Sequence, residues 1–190
     1  MSRRTAPRAA LAALAALALA ACTSPGGSPA LGSTVSGVSA YLTVTSEDFS
    51  DGGDLAGTFA AGDAGCPGDN LNPQLSWTAG PEETASYVIA VTDPDARGYV
   101  HWLHVDIPPD VLGVARGASG SLAGTEGRGT RGTDAYYGPC PPSRHHYVFT
   151  VYALDAVIEP GHALTYDEFT ALAEDHVLAS GSITGWFPAA

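Results

Sequence analysis

The chain has 190 residues, of which 45% are hydrophobic and 15% are charged, and this balance excludes an intrinsically disordered protein. The length is that of one ordinary globular domain. The abundance of glycine (23 residues) and proline (14 residues) favours short strands and many turns over a helical bundle. The sequence therefore predicts a mainly β protein with one folded domain.

A positively charged start followed by an apolar run marks the N-terminus. Three arginines among the first eight residues precede residues 9–21, which are all alanine or leucine. The run is too short to span a bilayer comfortably, so we interpret residues 1–21 as a signal peptide. It leads directly into Cys22 and resembles the bacterial lipobox, in which this cysteine receives a diacylglyceryl group. The alternative is an ordinary secretory signal with an incidental cysteine.

Removal of the signal peptide leaves a strongly acidic chain. Five arginines remain against 20 acidic residues, and so the formal net charge is −15. Such a surface repels the phosphate backbone of nucleic acids and anionic lipid headgroups, which excludes nucleic-acid binding. Residues 22–40 are rich in serine, glycine and threonine and are predicted to be a flexible tether to a domain at residues 41–190. We expect the protein at the bacterial cell membrane, lipid-anchored, with this domain on the extracytoplasmic face.

Cys66 and Cys140 remain once Cys22 is assigned to the lipid. An even pair of cysteines in an oxidising compartment favours a disulfide bond. Two separate buried thiols are the alternative, because the sequence does not give the distance on which the bond depends.

Six short segments have the composition of strands and are bounded by proline, glycine and aspartate. They are residues 41–45, 75–77, 86–92, 100–107, 146–154 and 182–187. One helix is predicted from the capping box of Thr165 and Glu168, with apolar residues at helical spacing as far as Val177 and with His176 on the buried side. Residues 108–135 hold seven glycines and form a long surface connection, which is typical of a functional or mobile loop.

Two stretches on either side of this loop carry most of the polar chemistry. They are Asp93-Pro94-Asp95-Ala96 with His101-Trp102, and Gly138-Pro139-Cys140-Pro141-Pro142 with His145-His146-Tyr147. They resemble the two signature regions of the phosphatidylethanolamine-binding protein family, also called Raf kinase inhibitor-like proteins, which read DPDAP then HW, and GPxPP then HRY. Residues 70–77, NLNPQLSW, resemble the family's NxSPxLxW segment.

The resemblance extends from about Leu42 to Phe187 and implies a fold and a site. The implied fold is an antiparallel β-sandwich of Greek-key type with one C-terminal helix and a long glycine-rich loop. The implied site is a ligand pocket that needs no cofactor. Its predicted ligand-binding residues are Asp93, Pro94, His101, Trp102, Gly138, Pro139, Pro141, His145, Tyr147 and Phe187.

Strand alternation gives an independent interpretation of the histidines. His101 and His104 are predicted to point apart, and so are His145 and His146, which argues against a chelating pair and predicts no metal site. His145 and Tyr147 share a face if the strand starts at His145.

A pocket with two imidazoles and a phenol suits a small anion, such as phosphate or the phosphoryl group of a lipid headgroup. Asp93 would repel an anion unless it orients a histidine and holds it protonated. Alternatively, Asp93 accepts a hydrogen bond from the ammonium group of a phosphoethanolamine headgroup. The alternative is a buried hydrogen-bond network that only fixes the fold. Trp77 and Trp186 are predicted to be core aromatics, and a core position is also the alternative to ligand contact for Trp102.

The sequence departs from the family pattern near these motifs. Arg97 replaces a proline, His146 replaces the arginine of HRY, Ser143 replaces a common glycine, and Phe187 replaces a frequent tyrosine. We expect Asp95 to face His146, which makes this contact dependent on pH.

Two function classes follow. The first is an anchored binding protein for a small anionic or phosphorylated ligand. The second is an inhibitor or regulator of a protease or other protein partner, acting through the glycine-rich loop. No catalytic residue is predicted, because the chain lacks a G-x-S-x-G motif and Cys140 lies between prolines.

Overall fold

The computed structural model describes residues 40–63 and 65–190. The predicted signal peptide, Cys22 and all of the predicted tether except Ala40 lie outside the described residues. Within the described part of the chain, no helix has the length and apolar character needed to cross a membrane.

The described residues form ten strands, two short 3-10 helices and one α-helix. The strands are β1 (Ala40–Tyr41), β2 (Val44–Thr45), β3 (Gly53–Asp54), β4 (Leu75–Trp77), β5 (Ser86–Asp93), β6 (Tyr99–Ile107), β7 (Gly113–Val114), β8 (Thr125–Glu126), β9 (His145–Leu154) and β10 (Val177–Phe187). The 3-10 helices span Gly57–Phe59 and Pro94–Ala96, and helix α1 spans Tyr166–Ala173. The predicted mainly β fold with one helix is confirmed.

The strands form two sheets. The larger sheet has the order β1-β10-β9-β5-β6-β8, with β3 also paired to β10, and the smaller sheet has the order β2-β4-β7. The long strands pair antiparallel, as expected, whereas β1 and β3 pair parallel with β10. The segment predicted as one strand at residues 41–45 is therefore two strands in different sheets.

Both faces of the larger sheet are buried, and this explains the nearly continuous apolar sequence of β5. Tyr87, Ile89 and Val91 pack in the core that also holds residues of the smaller sheet. Val88 and Ala90 point the other way, into a second core covered by helix α1. Alternate side chains of a strand face opposite sides, so a strand between two layers has no polar face.

The helix begins where the sequence predicts and ends earlier. Thr165 Oγ1 accepts a hydrogen bond from the backbone N–H of Glu168 at 3.3 Å, and the Glu168 carboxylate accepts one from the Thr165 N–H at 2.8 Å. Helix α1 nevertheless stops at Ala173, because Val177 already belongs to β10 and pairs with Leu154.

Three side-chain placements differ from the sequence interpretation. His176 was expected on a buried helix face, but it lies beyond the helix, is exposed and pairs with Asp155 at 2.7 Å. Trp186 was expected in the core, but it is half-buried against the His146 ring and the guanidinium of Arg144. Trp77 and Trp102 are core aromatics.

The glycine-rich loop is anchored by two polar side chains. Glu126 accepts hydrogen bonds from the indole N–H of Trp102 and from the backbone N–H of Gly120, both at 2.7 Å. Asn72, which is fully buried, donates to the Ala115 carbonyl at 3.0 Å and accepts from the Ser119 N–H at 2.8 Å. These contacts fix the loop against the sandwich.

Candidate functional site

Antiparallel pairing brings the chemistry-bearing residues to one end of the larger sheet. Strand β5 ends at Asp93, which is paired with Tyr99 at the start of β6. On the other side of β5, Thr92 pairs with Val148 near the start of β9. Because β9 begins at His145, the ends of three strands place Asp93 beside both signature stretches.

Asp93 and His145 form a buried pair. Their exposed fractions are 2% and 9%, and His145 Nδ1 lies 2.7 Å from Asp93 Oδ2. The other carboxylate oxygen accepts the N–H of Ala96 at 3.0 Å and caps the short helix Pro94–Ala96. Since both carboxylate oxygens are used, the Asp93 side chain is fixed and orients the His145 ring.

His101 is held by a different acceptor. Its Nδ1 lies 2.6 Å from the carbonyl oxygen of Tyr137, and its ring stacks on that tyrosine and meets the Tyr147 ring edge-on with centroids 5.0 Å apart. Burial of the His101 ring lowers its pKa below the ordinary value, despite the Tyr137 carbonyl and the charge of Asp93, which act in the opposite direction. Burial therefore favours the neutral form of the His101 ring.

These side chains surround a cavity of about 230 Å³. Five of the predicted ligand-binding residues line it, and they are Asp93, His101, Pro141, His145 and Tyr147. The lining residues that sequence reasoning missed are Ala96, Tyr99, Arg131, Tyr137, Cys140 and Pro142. Tyr99 was detectable, because it is two residues before His101 on the same strand. Arg131 lies in the glycine-rich loop, where no strand pattern or motif relates its position to the cavity.

The other five predicted ligand-binding residues are not part of the cavity lining. They are Pro94, Trp102, Gly138, Pro139 and Phe187. Trp102 is fully buried in the sandwich core, because it follows His101 and faces the opposite way. Phe187 is buried and pairs with His145 across the two strands. Pro94 belongs to the short helix that Asp93 caps.

Gly138 and Pro139 support the cavity wall from behind. The N–H of Gly138 donates to Asn70 Oδ1 at 2.8 Å, and the Pro139 carbonyl accepts the N–H of Ala61 at 3.1 Å. A Cβ atom on Gly138 would overlap the carbonyl oxygen of Phe59, so only glycine fits this close approach of two backbones. The turn that carries Cys140 and Pro141 is thereby held in place.

The cavity rim is closed by Asp63, Arg131 and Tyr137. The Tyr137 hydroxyl donates to Asp63 Oδ2 at 2.7 Å, and Arg131 Nη1 lies 2.9 Å from the same oxygen. The Arg131 guanidinium also covers the Tyr137 ring at 4.3 Å from its centroid. Partial burial, together with the hydrogen bond to Asp63, raises the pKa of Tyr137 to about 12. The rim hydroxyl is therefore a hydrogen-bond donor at neutral pH.

A disulfide bond joins Cys66 and Cys140, whose Cα atoms are 5.5 Å apart. It connects the segment that carries Asp63 to the turn that lines the cavity. The predicted pairing is confirmed.

Asp95 faces His146, as the sequence predicts. Its Oδ2 accepts the backbone N–H of His146 at 2.8 Å and lies 2.6 Å from His146 Nδ1. Partial burial raises the pKa of Asp95, but the contacts with His146 outweigh it, so that the pKa lies below its ordinary value. This pair lies beside the cavity and braces the short helix against β9.

Asp93, Asp95 and His145 each bring one potential metal-ligand atom within 4.8 Å of the others. Both carboxylates already accept hydrogen bonds from histidine rings and backbone N–H groups. We therefore describe this cluster as a hydrogen-bond network and assign no metal to it.

Tyr147 completes the cavity floor beside Asp93. Burial of its ring raises the pKa of Tyr147, and the negative charge of Asp93 raises it further. The phenol stays protonated at neutral pH and supplies a hydroxyl group to the cavity. The lining thus combines two imidazoles, three phenols, the Arg131 guanidinium and one carboxylate that is paired within the wall.

Comparison with known proteins agrees with this architecture. The sequence model described as phosphatidylethanolamine-binding protein matches residues 45–188. The chain belongs to this family. YbhB of Escherichia coli K12 is 35% identical over 159 residues, which cover 77% of this chain and 99% of that protein.

Solved structures and a lipoprotein relative extend the comparison. The crystal structure of E. coli YbcL, described as a member of the mammalian PEBP family, matches with a TM-score of 0.73 at 29% identity, covering 80% of this chain and all of that one. A PEBP homologue from Chlamydia trachomatis matches with a TM-score of 0.72, also at 29% identity, and with the same coverage. A Mycobacterium tuberculosis protein named lipoprotein LppC is 36% identical over 123 residues, 62% of this chain and 58% of that protein.

Proposed function

We propose that the protein is a membrane-anchored binding protein whose cavity takes a small phosphoryl anion on the extracytoplasmic side. The observation that carries this proposal is the buried pair of Asp93 and His145 in the cavity wall. Asp93 holds the His145 ring through Nδ1, so the second ring nitrogen, Nε2, is left for a ligand, and the Asp93 carboxylate is engaged within the wall. Because the Asp93 carboxylate is paired with His145, it repels an anion in the cavity less than an unpaired carboxylate would.

The size and polarity of the cavity support a small ligand. A volume of about 230 Å³ is below the range of roughly 300–1,000 Å³ that holds drug-sized molecules. The hydroxyl of Tyr147 adds a neutral hydrogen-bond donor on the same face as His145. A phosphate-sized group matches both the volume and these donors.

The anchoring part of the proposal rests on the N-terminal sequence and on the lipoprotein relative. Cys22 follows a short apolar run, and the related Mycobacterium protein carries the name of a lipoprotein. An acyl anchor would hold the acidic domain at a membrane without a spanning helix.

Titration of the full-length, detergent-solubilised protein with inorganic phosphate tests the ligand proposal. We expect saturable binding that weakens as the pH rises through the histidine range near about 6.5. His145→Gln keeps much of the volume but removes the charge, so phosphate affinity should fall about tenfold while the fold persists. His162→Gln, at an exposed histidine outside the cavity, is the matched control. Equal affinity in both variants, at all pH values, would contradict the proposal.

A further inference from the structure

The disulfide bond between Cys66 and Cys140 lies outside both hydrophobic cores. Among the described residues, neither cysteine belongs to the core that holds residues of the smaller sheet, and neither belongs to the core covered by helix α1. The bond joins two segments that are neither helix nor strand. Cleavage of the bond therefore removes no side chain from either core.

The two cysteines of this bond differ in their access to solvent. Cys66 is 3% exposed, whereas Cys140 is exposed and lines the cavity. A disulfide is reduced when a thiolate reaches one of its sulfur atoms, so access decides which sulfur is attacked. Exposed disulfides are also the ones that are most readily reduced. An incoming thiolate therefore meets Cys140 first.

The bond holds a short segment of the cavity rim, residues 62–66, which we call the rim segment. The N–H of Gly62 donates to the Cys66 carbonyl at 3.0 Å, and the N–H of Cys66 donates to the Asp63 carbonyl at 2.9 Å, so both bonds are internal to the segment. Among the described residues, its polar contacts with other segments are those of the Asp63 carboxylate, with the Tyr137 hydroxyl at 2.7 Å and with Arg131 at 2.9 Å. Solvent-exposed ion pairs are weak, so the disulfide is the main link between the rim segment and the cavity wall.

We propose that Cys140 is a thiol–disulfide exchange site, at which a dithiol reductant cleaves the bond to Cys66 and releases the rim segment. A thiolate of the reductant attacks Cys140 Sγ, the S–S bond breaks, and Cys66 leaves with the electron pair and takes up a proton. The second thiolate of the reductant then attacks the reductant's own sulfur in the mixed disulfide, so that Cys140 leaves as a thiolate. The reductant loses two electrons and becomes a disulfide, and the cysteine pair gains them. This opening of the rim does not depend on which ligand the cavity holds.

Reduction of the folded protein is the first test. The full-length protein in detergent is treated with dithiothreitol near about pH 8, without denaturant, where a dithiol is partly ionised. We expect both cysteines to become accessible to an alkylating reagent while the circular dichroism spectrum of the β-sheets is retained. A bond that resists dithiothreitol until urea unfolds the protein would overturn the inference.

The attacked sulfur is identified with a monothiol, which stops at the mixed disulfide. The parent protein is exposed briefly to 2-mercaptoethanol, quenched with N-ethylmaleimide and mapped by peptide mass spectrometry, which separates the Cys22 peptide from the other two. At the earliest times we expect 2-mercaptoethanol on Cys140 and maleimide on Cys66, in about tenfold excess over the reverse pattern. Equal amounts of the two patterns, or an excess of the reverse one, would overturn the assignment to Cys140.

Release of the rim segment is measured by hydrogen–deuterium exchange of the oxidised and the reduced parent. Amides of residues 61–67 should exchange about tenfold faster after reduction, whereas those of β5 and β9 should keep their protection. The double variant Cys66→Ala with Cys140→Ala should show the fast exchange with and without dithiothreitol.

Asp63→Asn is the matched control, because it removes the charge of the ion pair and keeps the disulfide. Its oxidised form should exchange more slowly at residues 61–67 than the double variant does. Unchanged exchange at these residues in the reduced parent would overturn the inference. So would a loss of protection in all strands, because the bond would then stabilise the whole fold instead of the rim.

Discussion

At the scale of single residues, two histidines in one cavity differ in their properties because their hydrogen-bond partners differ. His101 and His145 line one cavity, but one donates to a backbone carbonyl and the other to a buried carboxylate. The sequence interpretation allowed a positive charge on both rings. Burial lowers the pKa of His101, which disfavours the charged form of its ring.

The lowered pKa of His101 makes a prediction about acid stability. As the pH falls below about 6.5, the unfolded chain takes up a proton at His101 before the folded chain does, so the free energy of unfolding decreases. Above that range His101 contributes no pH dependence. Replacement by glutamine should therefore flatten the decrease between pH 7.5 and pH 5.5, as measured by urea unfolding. The same slope in His101→Gln as in the parent and in His162→Gln would contradict this expectation.

At the scale of elements, the site exists because three strand ends meet. Pairing of β5 with β6 and β9 brings Asp93 to Tyr99 and close to His145. The segment that resembles NxSPxLxW serves this arrangement indirectly. Asn70 accepts the N–H of Gly138 and Asn72 binds the glycine-rich loop, so the segment braces the cavity wall and does not line the cavity.

Gly138 makes a close backbone contact with Phe59 in this part of the cavity wall. Gly138→Ala would force its Cβ against the Phe59 carbonyl, and we expect it to lower the free energy of unfolding by about 1–3 kcal/mol. Gly57→Ala is the matched control, since a Cβ there meets no atom within 4 Å. Urea unfolding of both variants checks the prediction. It is wrong if the two variants lose the same stability.

At the scale of the whole molecule, two covalent modifications are relevant: the disulfide bond of the domain and the proposed acylation of Cys22. The disulfide links positions 74 residues apart and fixes the cavity turn to the segment that carries Asp63. The predicted acylation at Cys22 would hold the acidic domain at a membrane surface. Disulfide bonds are typical of proteins in an oxidising compartment, and the proposed anchor would place the domain in such a compartment.

Removal of the disulfide should be costly because the loop that it closes is long. A chain-entropy treatment gives about 4 kcal/mol for a loop of this length. The double variant Cys66→Ala with Cys140→Ala should unfold at correspondingly lower urea concentration, and reductant should destabilise the parent but not the variant. Labelling of both thiols in the unreduced parent by an alkylating reagent would refute the bond.

Anchoring is tested at Cys22. Cys22→Ala should move the protein from the membrane fraction to the soluble fraction, because the acyl chains supply the proposed attachment to the membrane. Fractionation with immunodetection measures this, and Ser24→Ala, two residues further along the chain, is the control for a substitution near the anchor. Mass spectrometry that finds an unmodified Cys22 in the mature protein would refute the anchor.

The sequence by itself determined the fold class and the family, because these depend on local signals. It also favoured a bond between Cys66 and Cys140, but the short distance that the bond needs, 5.5 Å between the Cα atoms, came only from the fold. Alternating and continuous apolar segments specify strands, and short motifs at fixed spacing specify the family. The helix start at Thr165 was predictable for the same reason, since a capping box is local. Asp93, His101, His145 and Tyr147 were predictable as one cluster, because strand ends that pair antiparallel meet at one edge.

Only the tertiary structure decided what depends on packing between distant segments. Trp102 follows His101 directly, yet it faces the sandwich core, and Arg131 reaches the rim from a loop with no local signal. The end of helix α1 was decided by the pairing of Val177 with Leu154. The hydrogen-bond partner of each histidine ring was likewise decided by the fold, because Tyr137 lies 36 residues from His101 and Asp93 lies 52 residues from His145. Hydrogen-bond partners this far apart in the chain leave no periodic or compositional trace, so only the folded geometry identifies them.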